Sequence, residues 1–442
     1  MSDTLTLSSP SLQQPEVFSV RQSLCPLGAH WITALQEAAW DRFQTLPTPV
    51  RTNENWRFSS MQRIREVDAF CPVNETEVHL PAAMESTSVI TAQAGRLVFA
   101  DDVLVDVTAP APELTAKGVI FTTLVDAALQ HPELLQEYFM RHSPELGSEK
   151  FEALHLAMLR NGAFLYVPDG VEIEAPFVVQ QWAVKDGGAI FPHVIAVAGK
   201  NARASVVELQ KCAHADTPHL VVANAHLHAG DGATLTHAIV QNWNRSTLSF
   251  QLNTSSAASN TTAKSTIINL GSAQARQEIH GRIFGNASNV EMYSLNVPEQ
   301  SQEFDQRTLQ THVAPNSRSD LLFKNALMDR ARTIFSGLII VEDHAQQTDA
   351  YQTNNNLMLS EEAEANSLPG LEIKANDVKC SHGATTGRID ESELFYFLAR
   401  GIPRKTAQEL MIFGYADEII QKLDHADLRE YVSGQVQDKF IH

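Results

Sequence analysis

Cys380 and His382 stand two residues apart in the stretch Asp377-Val378-Lys379-Cys380-Ser381-His382-Gly383-Ala384-Thr385-Thr386-Gly387. The segment reads as a strand, and a strand has a side-chain period of two. Both side chains should therefore project from one face, with Lys379 and Ser381 on the other. A thiolate and an imidazole on one face can bind soft or borderline metals, or act as nucleophile and base. The same spacing also suits a buried cysteine beside a satisfied core histidine, because free cysteine is among the most buried residue types. Two ligands are too few to hold a cluster or a tetrahedral metal. A functional site here needs ligands from a partner chain.

The other candidate clusters are weaker. His226 and His228 alternate on a strand pattern, near Cys212, His214 and His219 in sequence. With 17 histidines in the chain, chance clustering favours solvated or hydrogen-bonded strand histidines over a metal site. His280, His312 and His344 are isolated, and no role is assigned to them. Common catalytic signatures are missing. Gly199-Lys200 lacks the upstream glycine of a phosphate-binding loop and is followed by Asn201. Gly230-Asp231-Gly232 begins like a dinucleotide fingerprint, but Leu235 occupies the third glycine position. The chain has no G-x-S-x-G elbow and no H-E-x-x-H.

The elements that position Cys380 and His382 follow from texture along the 442 residues. Up to about residue 165 the pattern is largely helical, in Trp31–Trp40, Leu124–Met140 and Phe151–Asn161, with short strands between 71 and 110. From 166 to 388 short β-type runs follow one another. Examples are Phe177–Trp182, Ala204–Leu209, Thr234–Val240, Ser265–Leu270, Val290–Leu295 and Thr333–Ile339. Small-residue corners such as Gly230-Asp231-Gly232 and Gly285-Asn286-Ala287-Ser288 separate them. A start for this body as early as about 80 stays open. Such strands can stack as a β-solenoid, whereas about 220 residues is long for one sandwich. No strict short repeat is visible, so a sandwich or barrel remains an alternative. Asn354-Asn355-Asn356 reads as a solvated turn in preference to an inward ladder. The remainder, 389–442, is helical. Asp390 with Glu393 has a capping-box pattern, Gly401 stops the first helix and Pro403 opens the next. Further patterns follow at Ala407–Phe413, Ala416–Leu423 and Ala426–Phe440. This small helical unit is expected to cap the open end of the solenoid.

Composition narrows the partners. Hydrophobic residues make up 43% of the chain, enough for a sizeable core. The net charge of −19, from 52 acids against 33 bases, argues against nucleic acid and against an anionic membrane surface. Cys25, Cys71, Cys212 and Cys380 are scattered with no C-x-x-C pair, which suits free thiols in a reducing, cytoplasmic setting. No apolar run is long enough to span a membrane. Met1 to Ser11 lacks the marks of a leader and is expected to be a short disordered tail.

The stretch from Asn354-Asn355-Asn356-Leu357 through Pro369, Leu371-Glu372-Ile373 and Val378–Thr385 closely resembles the SufB/SufD family of SUF iron–sulfur assembly proteins. Gly387-Arg388-Ile389-Asp390, Leu394–Ile402 and Glu54-Asn55-Trp56-Arg57-Phe58 carry the resemblance further. SufB has an E-H-E-A-T-type sequence where this chain has Ser381 and Gly383 in place of the acids, so the likeness is to the SufD branch. The resemblance implies a mainly β fold, a right-handed parallel β-helix flanked by helical N-terminal and C-terminal domains. It implies SufB and the SufC ATPase as partners and a transient iron–sulfur cluster shared with SufB; for the isolated chain a homodimer and a monomer both stay open. The metal-site residue it implies is His382, acting with a SufB cysteine, and Cys380 is the matching cysteine. SufC docking falls on the C-terminal helices, for which Phe395, Tyr396, Arg400, Ile402 and Pro403 are the candidates. No permanently bound cofactor is implied. A reduced flavin is associated with the complex, with no residue here assigned to it. The role is that of a scaffold and not of an enzyme. The alternative reading is a secreted-type carbohydrate-active enzyme on a β-helix, which would build acid-rich sites.

Overall fold

The structure is a computed structural model that describes residues 29–73, 78, 80 and 89–440. Cys25 and the Met1–Ser11 tail lie outside the described residues. The chain winds into a parallel β-solenoid of two facing sheets, one of 11 strands and one of 10. Successive strands alternate between the sheets. Leu220 pairs with Leu248, Leu248 with Gln274, Gln274 with Glu303, Glu303 with Arg332 and Arg332 with Glu364. One turn thus takes between 26 and 32 residues by this register, a spacing too long and too uneven to show as a short sequence repeat. The sandwich and barrel alternatives are excluded by this pairing. The only antiparallel ladders among the described residues join Gly95–Ala100 to Val103–Thr108 and Ile120–Thr123 to Ala163–Val167, at the first end.

Alternation sorts side chains into three layers. Inward positions such as Val206, Ile239, Ile267, Met292, Phe323 and Phe335 fill the interior. The outer face of one sheet is covered by N-terminal elements. There Trp40, Phe43, Trp56, Phe151 and Leu154 pack on Leu220, Val222, Leu248 and Phe250. The outer face of the other is covered by Ile419, Ile420, Leu423, Leu428, Val432 and Val436, which pack on Val207, Leu209, Val240, Ile268 and Leu295. Both groups remove large apolar area from water, which is what fixes them to the solenoid.

The N-terminal helices are His30–Thr45, Leu124–Gln130, Pro132–Tyr138 and Glu149–Met158, with the short Pro112–Ala116. The apolar period over Leu124–Met140 is split at His131, because Pro132 lacks an N–H and starts a new helix. Glu54–Trp56 forms one turn of 3₁₀-helix. Trp56 is 2% exposed. Its indole N–H donates to Gly147 O at 2.8 Å, and the Arg276 guanidinium lies 3.8 Å over its rings. Arg276 also donates to Asn55 O, Glu278 and Asp305 at 3.0, 2.8 and 2.6 Å. The Glu-Asn-Trp element therefore ties the N-terminal region to the solenoid flank.

Three expectations need correction. Ala407–Phe413 and Ala416–Leu423 belong to one helix, Arg404–Ile420. Gly414 between them meets no neighbour and is tolerated in mid-helix, at a cost of about 1 kcal/mol. The C-terminal helices do not cap the solenoid end. The helices Arg404–Ile420 and Ala426–Phe440 lie along its flank, where they cover the apolar outer face of the sheet. Finally, Asn354-Asn355-Asn356 is no turn. It lies inside the strand Thr348–Met358, with Asn354 and Asn356 buried and facing inward. Asn356 tops a column of amides in register, Gln181, Gln210, Gln241, Asn269, Asn296, Asn325 and Asn356. Asn269 donates to Asn296 at 2.6 Å and Asn325 to Asn356 at 2.7 Å. Gln210 and Gln241 instead bond Gln251, Gly271 O and Ser272, so amides of the column find partners both between rungs and across the interior.

Candidate functional site at the open end of the solenoid

The last turn consists of Glu364–Ile373 in one sheet and Val378–Arg388 in the other. Each is paired on one side only. Each therefore presents a row of free backbone groups, the usual template for pairing with another chain. Pro369 removes one donor from the first edge, a position where proline is tolerated. Leu368 and Ile373 are exposed at 41% and 40%. A long bare edge with apolar residues on it is a surface that calls for a partner.

Cys380 and His382 sit on this last strand. Cys380 is in register with Ala350 and His382 with Gln352. Ala350 and Gln352 are both buried and inward-facing, so the pair occupies the interior column of its rung, as the alternation predicts. Lys379 and Ser381 pair with Asp349 and Tyr351 on the other face. The two candidates then part company. Cys380 is half-buried in a nest of Ile339, Val341, Ala345, Ala350, Leu371, Ala375 and Val378. Burial raises its thiol pKa above the ordinary value, against a backbone hydrogen bond at Ala350 and with help from Asp349. The protonated thiol is a poor ligand and nucleophile. His382 is exposed at the rim of the open end. It is no core histidine.

The other histidines go elsewhere. His226 and His228 are buried under the N-terminal elements, hydrogen-bonded at 2.9 Å to Thr254 and Ser256. His226 stacks with His228 on one side and His193 on the other, and His193 in turn meets His155 at 2.8 Å. Cys212 lies in the opposite sheet, close to Thr247, so sequence proximity to His226 does not become spatial proximity. His280 and His312 bond Thr311 and Ser317. No group of three or more His, Cys, Asp or Glu among the described residues is arranged to hold a metal. His155 and His193 were invisible as a pair in the sequence, since 38 residues separate them.

Phe395, Tyr396 and Arg400 are exposed on or just after the helix Glu391–Leu398, as is Pro403, and Ile402 is half-buried. Phe395 is 69% and Tyr396 56% exposed, and Arg400 stacks 3.3 Å over the Tyr396 ring. Of this helix only Leu394 is buried. Asp390 caps it through Ser392 N at 2.7 Å, without the reciprocal Glu393 bond of a full capping box. Leu398 and Leu410 are exposed as well, at 36% and 47%.

Comparison with known proteins points to a family. The SufBD core domain of the SUF iron–sulfur cluster assembly system matches residues 181–415. The SufBD N-terminal region matches residues 18–179. The iron–sulfur cluster assembly protein SufD of Escherichia coli (strain K12) is 29% identical over 394 residues, covering 88% of each chain. SufD of Bacillus subtilis (strain 168) is 29% identical over 333 residues, 74% of this chain and 75% of that one. A SufBD family protein of Synechocystis is 26% identical over 405 residues, 89% of this chain and 88% of its own. These matches take the place of the carbohydrate-active alternative. On the two-sheet parallel solenoid and the family matches across both halves, the chain belongs to the SufB/SufD family of iron–sulfur cluster assembly proteins.

Proposed function

We propose that this chain is the SufD-type scaffold of a SUF assembly complex and performs no catalysis of its own. It pairs with SufB through the open end of the solenoid, and the bare edge strands around His382 are the observation that carries this reading. Burying them against a second solenoid would satisfy the free backbone groups of both rims. A second copy of this chain could occupy the same edge when SufB is absent. His382 then lies at the junction and offers an imidazole lone pair to iron(II), the cargo of assembly. A borderline metal accepts that ligand, while thiolate and sulfide come from the partner side. Cys380 packs beside it as a thiol. The C-terminal helices offer Phe395, Tyr396 and Leu410 to SufC, with Arg400, Ile402 and Pro403 around them. ATP hydrolysis is left to SufC, in keeping with the missing nucleotide motif.

Co-expression with SufB and SufC tests the partners. Both should co-purify in near-stoichiometric amounts. Phe395→Asp places a charge in the exposed patch without touching the core, so SufC should be lost and SufB retained. Full retention of SufC by that variant, or failure of SufB to co-purify with the unaltered chain, would refute the assignment. Truncation from residue 404 is a poor substitute, because it strips the apolar sheet face that Ile419, Leu428 and Val432 cover.

A further inference from the structure

The rung beneath His382 is built unlike its neighbours. Gln352 is in register directly below His382, one strand spacing of roughly 4.8 Å away. It is 1% exposed. Its side chain reaches across the interior to the facing sheet, where Nε2 donates to Gly337 O at 3.2 Å. Its Oε1 has no partner at all. A buried carboxamide oxygen left without a donor is costly, by roughly 1–3 kcal/mol; the solenoid holds several, Gln210, Gln306 and Gln310 among them, and that of Gln352 is the one in register with His382. Gly337 makes room for it. A β-carbon there would collide with Gln352 Oε1 and stand 2.7 Å from Thr308 Oγ1, a second buried oxygen without a partner. The φ of Gly337 is not in the left-handed region, so backbone strain does not demand glycine. Space does. Cys380, by contrast, stands over Ala350 in an apolar nest, with nothing polar beneath it. A polar floor therefore lies under His382 alone of the two candidates.

We propose that Gln352 is a positioning residue for His382. When the ring of His382 turns toward the solenoid axis it stands over the Gln352 carboxamide. One ring N–H donates to Oε1, and the tautomer is set. The other nitrogen keeps its lone pair and faces out of the open end, toward the iron brought to the junction. Metal-binding histidines commonly hold their second nitrogen on such an acceptor, which fixes ring orientation and raises basicity. Gly337 supports the arrangement by leaving the hollow in which the carboxamide lies. The proposal rests on the reading of His382 as the site residue, and neither Gln352 nor Gly337 meets iron directly.

The test is nitrogen NMR of the full chain carrying ¹⁵N-labelled histidine, with the His382 signals assigned by their absence from His382→Ala. One tautomer of His382 should dominate in the unaltered chain. Gln352→Leu, which keeps the bulk and removes the acceptor, should give a mixture of both. Gln352→Glu, which keeps an acceptor, should restore the single tautomer. Should Gln352→Leu fail to fold, Gly337→Ala pushes the intact carboxamide aside and should give the same mixture. A mixed tautomer in the unaltered chain, or an unchanged one in both Gln352→Leu and Gly337→Ala, overturns the proposal. In the complex with SufB and SufC, Gln352→Leu should retain roughly tenfold less iron. If His382→Ala leaves the iron unchanged, the functional reading fails, and the tautomer measurement still decides whether Gln352 orients the ring.

Discussion

At the scale of residues, exposure separates two side chains that spacing could not. Cys380 fills an apolar nest, and its raised thiol pKa keeps it protonated near neutral pH. Replacing Cys380 by Ala removes one sulfur from a half-buried site. We expect a stability loss of about 1 kcal/mol or less and cluster assembly close to that of the unaltered chain. Urea unfolding and iron analysis of the purified complex check both; complete loss of assembly in a stable variant would make Cys380 a ligand after all. The shared face of Cys380 and His382 was legible from a period of two. The division of labour between them was not, because it depends on Ala350 and Gln352, which lie 30 residues earlier in the chain and come beneath the pair only through the solenoid register.

At the scale of elements, the strongest tie is the one between the Glu54–Trp56 turn and the solenoid flank. Arg276 and Arg307 stand among Glu278 and Asp305, all buried, and Ser59 donates to Asp305 as well. Burial alone would raise the pKa of Asp305, but the two guanidinium groups and the Ser59 hydroxyl outweigh it and hold the carboxyl below its ordinary value. Arg276→Met leaves Asp305 and Glu278 buried with too little positive charge. Breaking one side of a buried ionic network costs on the order of 3–5 kcal/mol, so the melting temperature should fall sharply and the N-terminal region should become sensitive to protease. A shift within about 0.5 kcal/mol of the unaltered chain would show that the network is not what holds the flank. The Glu-Asn-Trp-Arg-Phe element was visible in the sequence as a family mark. Its job was hidden, since Arg276 is 221 residues from Asn55. The Asn354-Asn355-Asn356 run misled for a related reason. Asparagine is a turn residue by local preference, and only the column of amides at one residue per turn shows why it can sit inside a strand.

At the scale of the whole molecule, stability should depend on pH through buried histidines. Burial lowers the pKa of His155 and His312 to about 4 and of His228 and His280 to about 3, with neighbouring cations adding to the effect on the latter two. His193 and His226 shift the same way, by burial and by repulsion from neighbouring histidines. The unfolded chain takes up protons on these groups below about pH 6.5, whereas the folded chain does not until much lower. Stability is therefore lost as pH falls from about 6.5 toward 4, at up to roughly 1.4 kcal/mol per pH unit for each histidine. Asp102 and Glu152 act in the opposite sense. Burial raises both to about 7, so their contribution is present at low pH and is lost as pH rises toward 7. Burial also lowers the values of His142, His219 and His425 and raises that of Glu303, so nine histidines stand against three carboxyls and the acid side is the weaker one. Urea unfolding at pH 7, 6 and 5 should show a steep fall in the midpoint, and a flat profile would contradict it. The solenoid itself was foreshadowed by the serial short strands, and the helical ends by their apolar period. Where the helices dock was not, because a cap and a flank bury the same residues and differ only in what they lie against.

His382, at the open end of the solenoid, is proposed above as half of a cluster-assembly site that SufB completes. Its most direct test is iron and sulfide analysis of the complex with SufB and SufC, co-expressed and purified without oxygen, for the unaltered chain and for His382→Ala. The His382→Ala complex should assemble with the same subunit ratio and carry several-fold less iron and sulfide. Equal iron and sulfide in an intact His382→Ala complex would contradict it.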